Sequence, residues 1–135
     1  MSYKSTFLRA CDAEGLRYRD IDDNRVIISY RGDNTNDIDI HVIFDSDGDP
    51  LVALRCWSFG GTDPAKRLEY LECCNSLNTT YRWVKFYIDK DGDIAVSDDA
   101  VVDDDSAGPE VIQLVRRMVG IYDDAFIPLM RVKVS

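Results

Sequence analysis

Ile38-Asp39-Ile40-His41-Val42-Ile43-Phe44, then Asp45-Ser46-Asp47-Gly48-Asp49-Pro50, then Leu51 to Trp57, is the stretch that decides the fold. Ile38, Ile40, Val42 and Phe44 alternate with Asp37, Asp39, His41 and Ile43. A strand points successive side chains to opposite faces, so residues 37–44 predict a strand with one buried face and one mostly wet face. His41, the sole histidine, falls on the wet face. The Asp-rich segment reads as a turn in which Gly48 takes the left-handed conformation of a tight hairpin. A partner strand follows near 51–57.

The same grammar recurs downstream. Residues 83–89 and 94–97 predict a second hairpin, closed by Asp89-Lys90-Asp91-Gly92-Asp93. Both DxDGD turns imitate the start of a calcium loop. A calcium EF-hand places glycine sixth and glutamate twelfth. Counted from Asp45 those positions are Pro50 and Cys56, and from Asp89 they are Ile94 and Ala100. Neither segment fits, and no metal is expected.

Upstream, residues 4–14 read as a short helix stopped by Gly15, followed by short strands near 16–21 and 25–31. Thr62-Asp63-Pro64 opens a second helix, with Asp63 as cap and Pro64 in its first turn, running to about Asn78. On its wheel Glu69, Glu72 and Ser76 face solvent, whereas Leu68, Leu71 and Cys74 point inward, with Asn75 and Asn78 among them. Residues 98–105, rich in aspartate, read as a solvated loop. Gly108-Pro109-Glu110 opens a last helix to about Phe126, which Pro128 is expected to end or kink. The order α-β-β-β-β-α-β-β-α, with tight turns between strands, predicts an α+β domain with an antiparallel sheet spanning residues 1–135.

The last helix carries more apolar surface than one core face needs. Val111, Val115, Met118, Tyr122, Ala125 and Leu129 form a stripe, widened by Ile112, Val119 and Phe126 and by Leu114 and Ile121. Either the helix lies deep in its own domain, or Val111, Val115, Met118, Tyr122 and Phe126 offer a partner or dimer surface.

Composition narrows the function. Twenty-five acidic residues oppose sixteen basic ones, for a formal net charge of −9. Nucleic acid and anionic membrane repel such a chain, and neither is an expected partner. No apolar run reaches the roughly 20 residues of a membrane helix, and residues 1–9 lack a signal-peptide core, so the cytoplasm is the expected location. Cys11, Cys56, Cys73 and Cys74 show no metal-ligand spacing and read as small packing residues. No nucleophile constellation surrounds His41, and Gly60-Gly61 lacks the rest of a phosphate loop. No catalytic residue and no cofactor are expected.

Leu71-Glu72-Cys73-Cys74-Asn75-Ser76-Leu77-Asn78, then Trp83 through Asp89-Lys90-Asp91-Gly92-Asp93-Ile94, resembles the YbjN family in its N-x-L-N helix end, strand, D-x-D-G-D turn and second strand. The upstream meander and the last helix are also similar, so the resemblance covers nearly the whole chain. It implies a twisted antiparallel sheet with packed helices, like the fold of type III secretion chaperones. It implies a regulatory or chaperone-like module that binds a protein partner, with a homodimer as one form of it, and no enzyme. For Asn75 and Asn78, and for Asp89, Asp91, Gly92 and Asp93, it implies a structural role. The narrower alternative is a dedicated secretion chaperone. A different one is a small-ligand or cation sensor using the Asp-rich turns.

Overall fold

The computed structural model describes residues 2–135. Helix α1 spans Tyr3–Glu14. The Ser2 hydroxyl accepts from the Ser5 amide at its start, and Gly15, at φ 71°, closes it. Strands β1 (Arg19–Asp20), β2 (Arg25–Tyr30), β3 (Ile38–Phe44) and β4 (Leu51–Gly61) follow as a meander. A 3-10 turn at Pro64–Lys66, capped by the Asp63 carboxylate, leads into α2 (Arg67–Thr80). The hairpin β5 (Lys85–Ile88) and β6 (Asp93–Val101) precedes α3 (Pro109–Val134). Fold class and element order are those predicted.

All strand pairs are antiparallel, and the order across the sheet is β1-β2-β3-β4-β6-β5. The second hairpin therefore turns back, so that β6 lies beside β4 and the shorter β5 takes the edge. Both DxDGD segments form hairpin turns. Gly48 and Gly92 sit at φ 80° and 84°, where a side chain would be strained.

The pleat separates two faces. Val26, Ile28, Ile38, Ile40, Val42, Phe44, Val52, Leu54, Cys56, Phe86, Ile94 and Val96 point to one side. They are buried there with Phe7 and Cys11 of α1, Tyr70, Cys74 and Leu77 of α2, and the long stripe of α3. Among the described residues, the three α-helices share this single core and leave the other sheet face without a helix over it.

Several local readings change. β1 is two residues long, not six, and β4 and β6 run beyond their predicted ends. Asp98 and Asp99 belong to strand β6, because pairing with Leu54 and Ala53 continues through them. Pro128 lies inside α3, which continues to Val134. Proline removes one amide donor, and the acceptor it would have served is the carbonyl of the exposed Asp124. The last turn is held by Leu129 in the core and by the Lys66 ammonium, which donates to the carbonyls of Val132, Lys133 and Ser135. Val111, Val115, Met118 and Tyr122 are buried in the core, so of the two readings of the α3 stripe it is the one that lays the helix deep in its own domain that describes these four residues. Phe126 keeps partial exposure, with edge-on ring contacts to Phe59 and Tyr122. On α2 the inward face is Tyr70, Cys74 and Leu77, whereas Leu68 and Leu71 are 65% and 41% exposed. The Tyr70 ring packs edge-on against Phe59 and sets the rotation of the helix.

Candidate functional site: the open face of the sheet

On the uncovered face the register lines up one row across all six strands. Arg19 opposes Ile27, Ile27 opposes His41, His41 opposes Arg55, Arg55 opposes Ser97, and Ser97 opposes Lys85. Directly paired residues share a face, so all six lie on the uncovered side, Ser97 buried there beneath its neighbours. Beside this row stand Arg25, Ile43, Ala53 and Asp99, then Leu51 and Val101. On its other side lie Ser29 and Asp39, with Trp57, Ala95 and Tyr87.

Short-range contacts organise the row. The Arg25 guanidinium lies 3.1 Å from His41 Nδ1, and a guanidinium has no lone pair to offer, so the imidazole accepts. Trp57 packs edge-on against the same imidazole, with ring centroids 5.0 Å apart. Burial holds the His41 pKa below the ordinary 6.5, and Arg25 pushes it the same way. Arg55 donates to the Leu54 and Asp98 carbonyls and pairs with Asp99 at 2.8 Å. Arg19 reaches Asp39 at 3.9 Å, and the Lys85 ammonium lies over the Tyr87 ring. At one end, Ile43, Leu51, Val52, Ala53, Ala100 and Val101 line a largely apolar hollow of about 470 Å³, with Asp45 and Asp99 also in its wall.

The edges of the sheet are closed differently from its face. Asn78 at the end of α2 gives its amide N–H to the Phe86 carbonyl at 3.0 Å and accepts the Phe86 N–H at 2.7 Å. It thus occupies the outward backbone pair of β5 as a neighbouring strand would. At the other edge, β1 has only two residues, and Lys4 of α1 pairs with Asp20 and donates to the Asp22 carbonyl. Strand addition therefore finds little free edge at either side.

The sequence-marked residues divide. Asn78 bridges helix and strand. Asn75 is exposed and does not join the inward face on which the wheel placed it, because that face follows Tyr70 and Leu77. Asp89 Oδ1 accepts from the amides of Asp91 and Asp93, and Gly92 gives its carbonyl to the Thr62 amide and hydroxyl. Asp45 Oδ1 accepts from Asp47 in the first turn. These carboxylates shape turns. Cys11 and Cys74 are buried, which pushes their thiols up to about 11, and all four cysteines are free.

Sequence reading missed Asp123. This carboxylate, 8% exposed in α3, accepts from the backbone amides of Asp33, Asn34 and Thr35 and from the Asn34 side chain. Gly32 makes room for it: a Cβ there would stand 2.0 Å from Asp123 Oδ1. The signal was one aspartate inside the apolar stripe of α3, although its partners lie some ninety residues away.

The YbjN family model, "Putative bacterial sensory transduction regulator", matches residues 5–129, and the chain belongs to that family. It is similar in structure to a crystal structure of YbjN, named "a putative transcription regulator from E. coli", with a TM-score of 0.65 and 12% identity over 91% of this chain and 87% of that one. At that identity the likeness concerns the fold. No curated protein matches the sequence. Among the described residues no helix is long and apolar enough to cross a membrane.

Proposed function

We propose that this YbjN-family chain is a non-catalytic regulatory module that acts by binding another polypeptide on the open face of its sheet. One observation carries the reading: α1, α2 and α3 share one side of the sheet, and the other side presents Trp57, Tyr87, Ile43, Leu51 and Val101 beside charged residues. Aromatic and arginine side chains with apolar neighbours are the composition of binding hot spots. Nothing on this face resembles a catalytic constellation. His41 is engaged by Arg25 and Trp57, and the buried thiols are held protonated. The family description, a sensory transduction regulator, accords with action through a partner. A dedicated secretion chaperone is the narrower form of the same reading.

Capture from a lysate of the native host tests it, when wild type is compared with two surface variants. Trp57→Asp alters the open face, and Leu68→Asp alters the exposed side of α2. A polypeptide enriched in equal amount with the wild-type chain should be lost with Trp57→Asp and kept with Leu68→Asp. The opposite pattern, or loss with both, would remove the open face from the proposal.

A further inference from the structure

The open face is the basic surface of an acidic protein. Four cations point from its strands (Arg19, Arg25, Arg55 and Lys85) against three carboxylates, Asp39, Asp99 and, at the start of β6, Asp93, a formal +1. That leaves twelve cations and twenty-two carboxylates elsewhere in the chain, a formal −10. The cations are not scattered. Arg19, Arg55 and Lys85 share the cross-strand row, and Arg25 stands one step away, against His41 in that row. Arg25 and Lys85 have no carboxylate partner among the described residues. The turns at Asp45–Asp49 and Asp89–Asp93, at opposite strand ends, frame this band with carboxylates.

We infer that the partner offers this face an acidic, extended segment with interspersed apolar side chains, lying across the strands along the row from Arg19 to Lys85. The inference rests on the open face being the binding surface, and adds the chemistry of what binds there. Five interstrand steps of about 4.8 Å make a band of roughly 24 Å, the reach of about seven extended residues. Carboxylates along such a segment meet Arg25 and Lys85, while its apolar side chains meet Trp57, Ile43 and the hollow beside Leu51 and Val101. The flanking acidic turns repel the same segment from the strand ends and confine it to the band. Complementary charge of this kind governs encounter rate and choice of partner. A second copy meeting face to face would oppose the same cations to each other. A nucleic acid, with one charge every 1.7 Å of duplex, would meet two unpaired cations and a chain at −9.

The test uses the full chain and three labelled octapeptides, alternating Glu-Leu, Gln-Leu and Lys-Leu, with single-stranded dT12 as a fourth probe. Affinity is read by fluorescence anisotropy at 50 and 500 mM salt, and the site by amide chemical-shift mapping. Glu-Leu should bind at least tenfold more tightly than Gln-Leu at low salt, with shifts along β2, β3, β4 and β6. The preference should fall below threefold at high salt, where charges are screened beyond about 3–4 Å. The double variant Arg25→Gln/Lys85→Gln should lose the preference and keep its Gln-Leu affinity; should it fold poorly, Lys85→Gln alone, at an exposed edge position, should reduce the preference severalfold. Equal affinity for Glu-Leu and Gln-Leu, with shifts on the open face, would overturn the acidic segment and leave the binding surface standing. Tightest binding of Lys-Leu or dT12 would overturn it as well. Shifts confined to the helical side, or none with any probe, would overturn both this inference and the reading beneath it.

Discussion

The two faces of the sheet are made by the same strands in the same register, yet they follow opposite rules. On the helical face the one buried carboxylate of α3, Asp123, is fully partnered and gathers three backbone amides from the β2–β3 loop. On the open face, charged groups stand side by side with partial pairing, as Arg19 does with Asp39 at 3.9 Å. A buried polar group without partners costs stability, whereas an exposed one exchanges its partners with water. The first face therefore stores stability and the second leaves chemistry free for recognition. Substitution should separate the two.

The largest effect belongs to the buried carboxylate. Asp123→Ala strands the amides of Asp33, Asn34 and Thr35, and should cost about 3 kcal/mol. For a domain of this size that lowers Tm by about 10 °C. Gly32→Ala drives a Cβ into the same carboxylate and should approach that loss. Asp39→Ala, also an aspartate but on the open face, should stay within about 0.5 kcal/mol. Thermal melts of the three variants decide it: equal losses for Asp123→Ala and Asp39→Ala would dissolve the contrast between the faces.

A smaller effect is expected where the two faces meet, at the sheet edge. Asn78→Ala removes both hydrogen bonds to the Phe86 backbone and should cost about 1–2 kcal/mol in a urea melt. The Phe86 amide should then exchange with solvent much faster, and by a larger factor than the amides of central β4, which gain only what the loss of global stability gives. Unchanged exchange at Phe86 would show that α2 covers this edge without Asn78.

The legibility of these features in the sequence followed the range of the interactions. The hairpins were legible because alternation and a glycine turn are local: Ile38 to Phe44 and Asp89 to Asp93 each announce their own geometry. The α3 stripe was legible as apolar, but not where it points, since Val111 and Tyr122 find their cover in strands far along the chain. Helix α2 misled because Leu68 and Leu71 outweigh Tyr70 on any hydropathy scale, while the Phe59 ring selects Tyr70. Asp98 and Asp99 read as loop because their strand propensity is poor, and pairing with β4 overrides it. The open face itself was half legible. The wet side of β3 was plain, but the row through Arg55 and Lys85 exists only once β6 is seated between β4 and β5.

The smallest effect is the most direct report on that row. His41 is the sole histidine, so its titration is read without assignment ambiguity. Burial lowers its pKa first, then Arg25 and Arg19, against Asp39, which raises it. The unfolded chain, near the ordinary 6.5, takes the proton before the folded one does. The stability linked to His41 is therefore fully present above about pH 6.5 and declines as pH falls below it. Titration by NMR should give a midpoint under 6.5, and Arg25→Gln should move it upward. His41→Gln should flatten the fall in Tm between about pH 7 and 5.5. A midpoint at or above 6.5 would mean that Asp39 outweighs burial and Arg25, and that the row is less cationic than its register implies. The same titration sharpens the reading of the partner. Carboxylates seated along the band must raise the His41 midpoint, and by linkage binding must then strengthen as pH falls through it. A neutral segment held by apolar contacts alone would cover the imidazole and move the midpoint down instead.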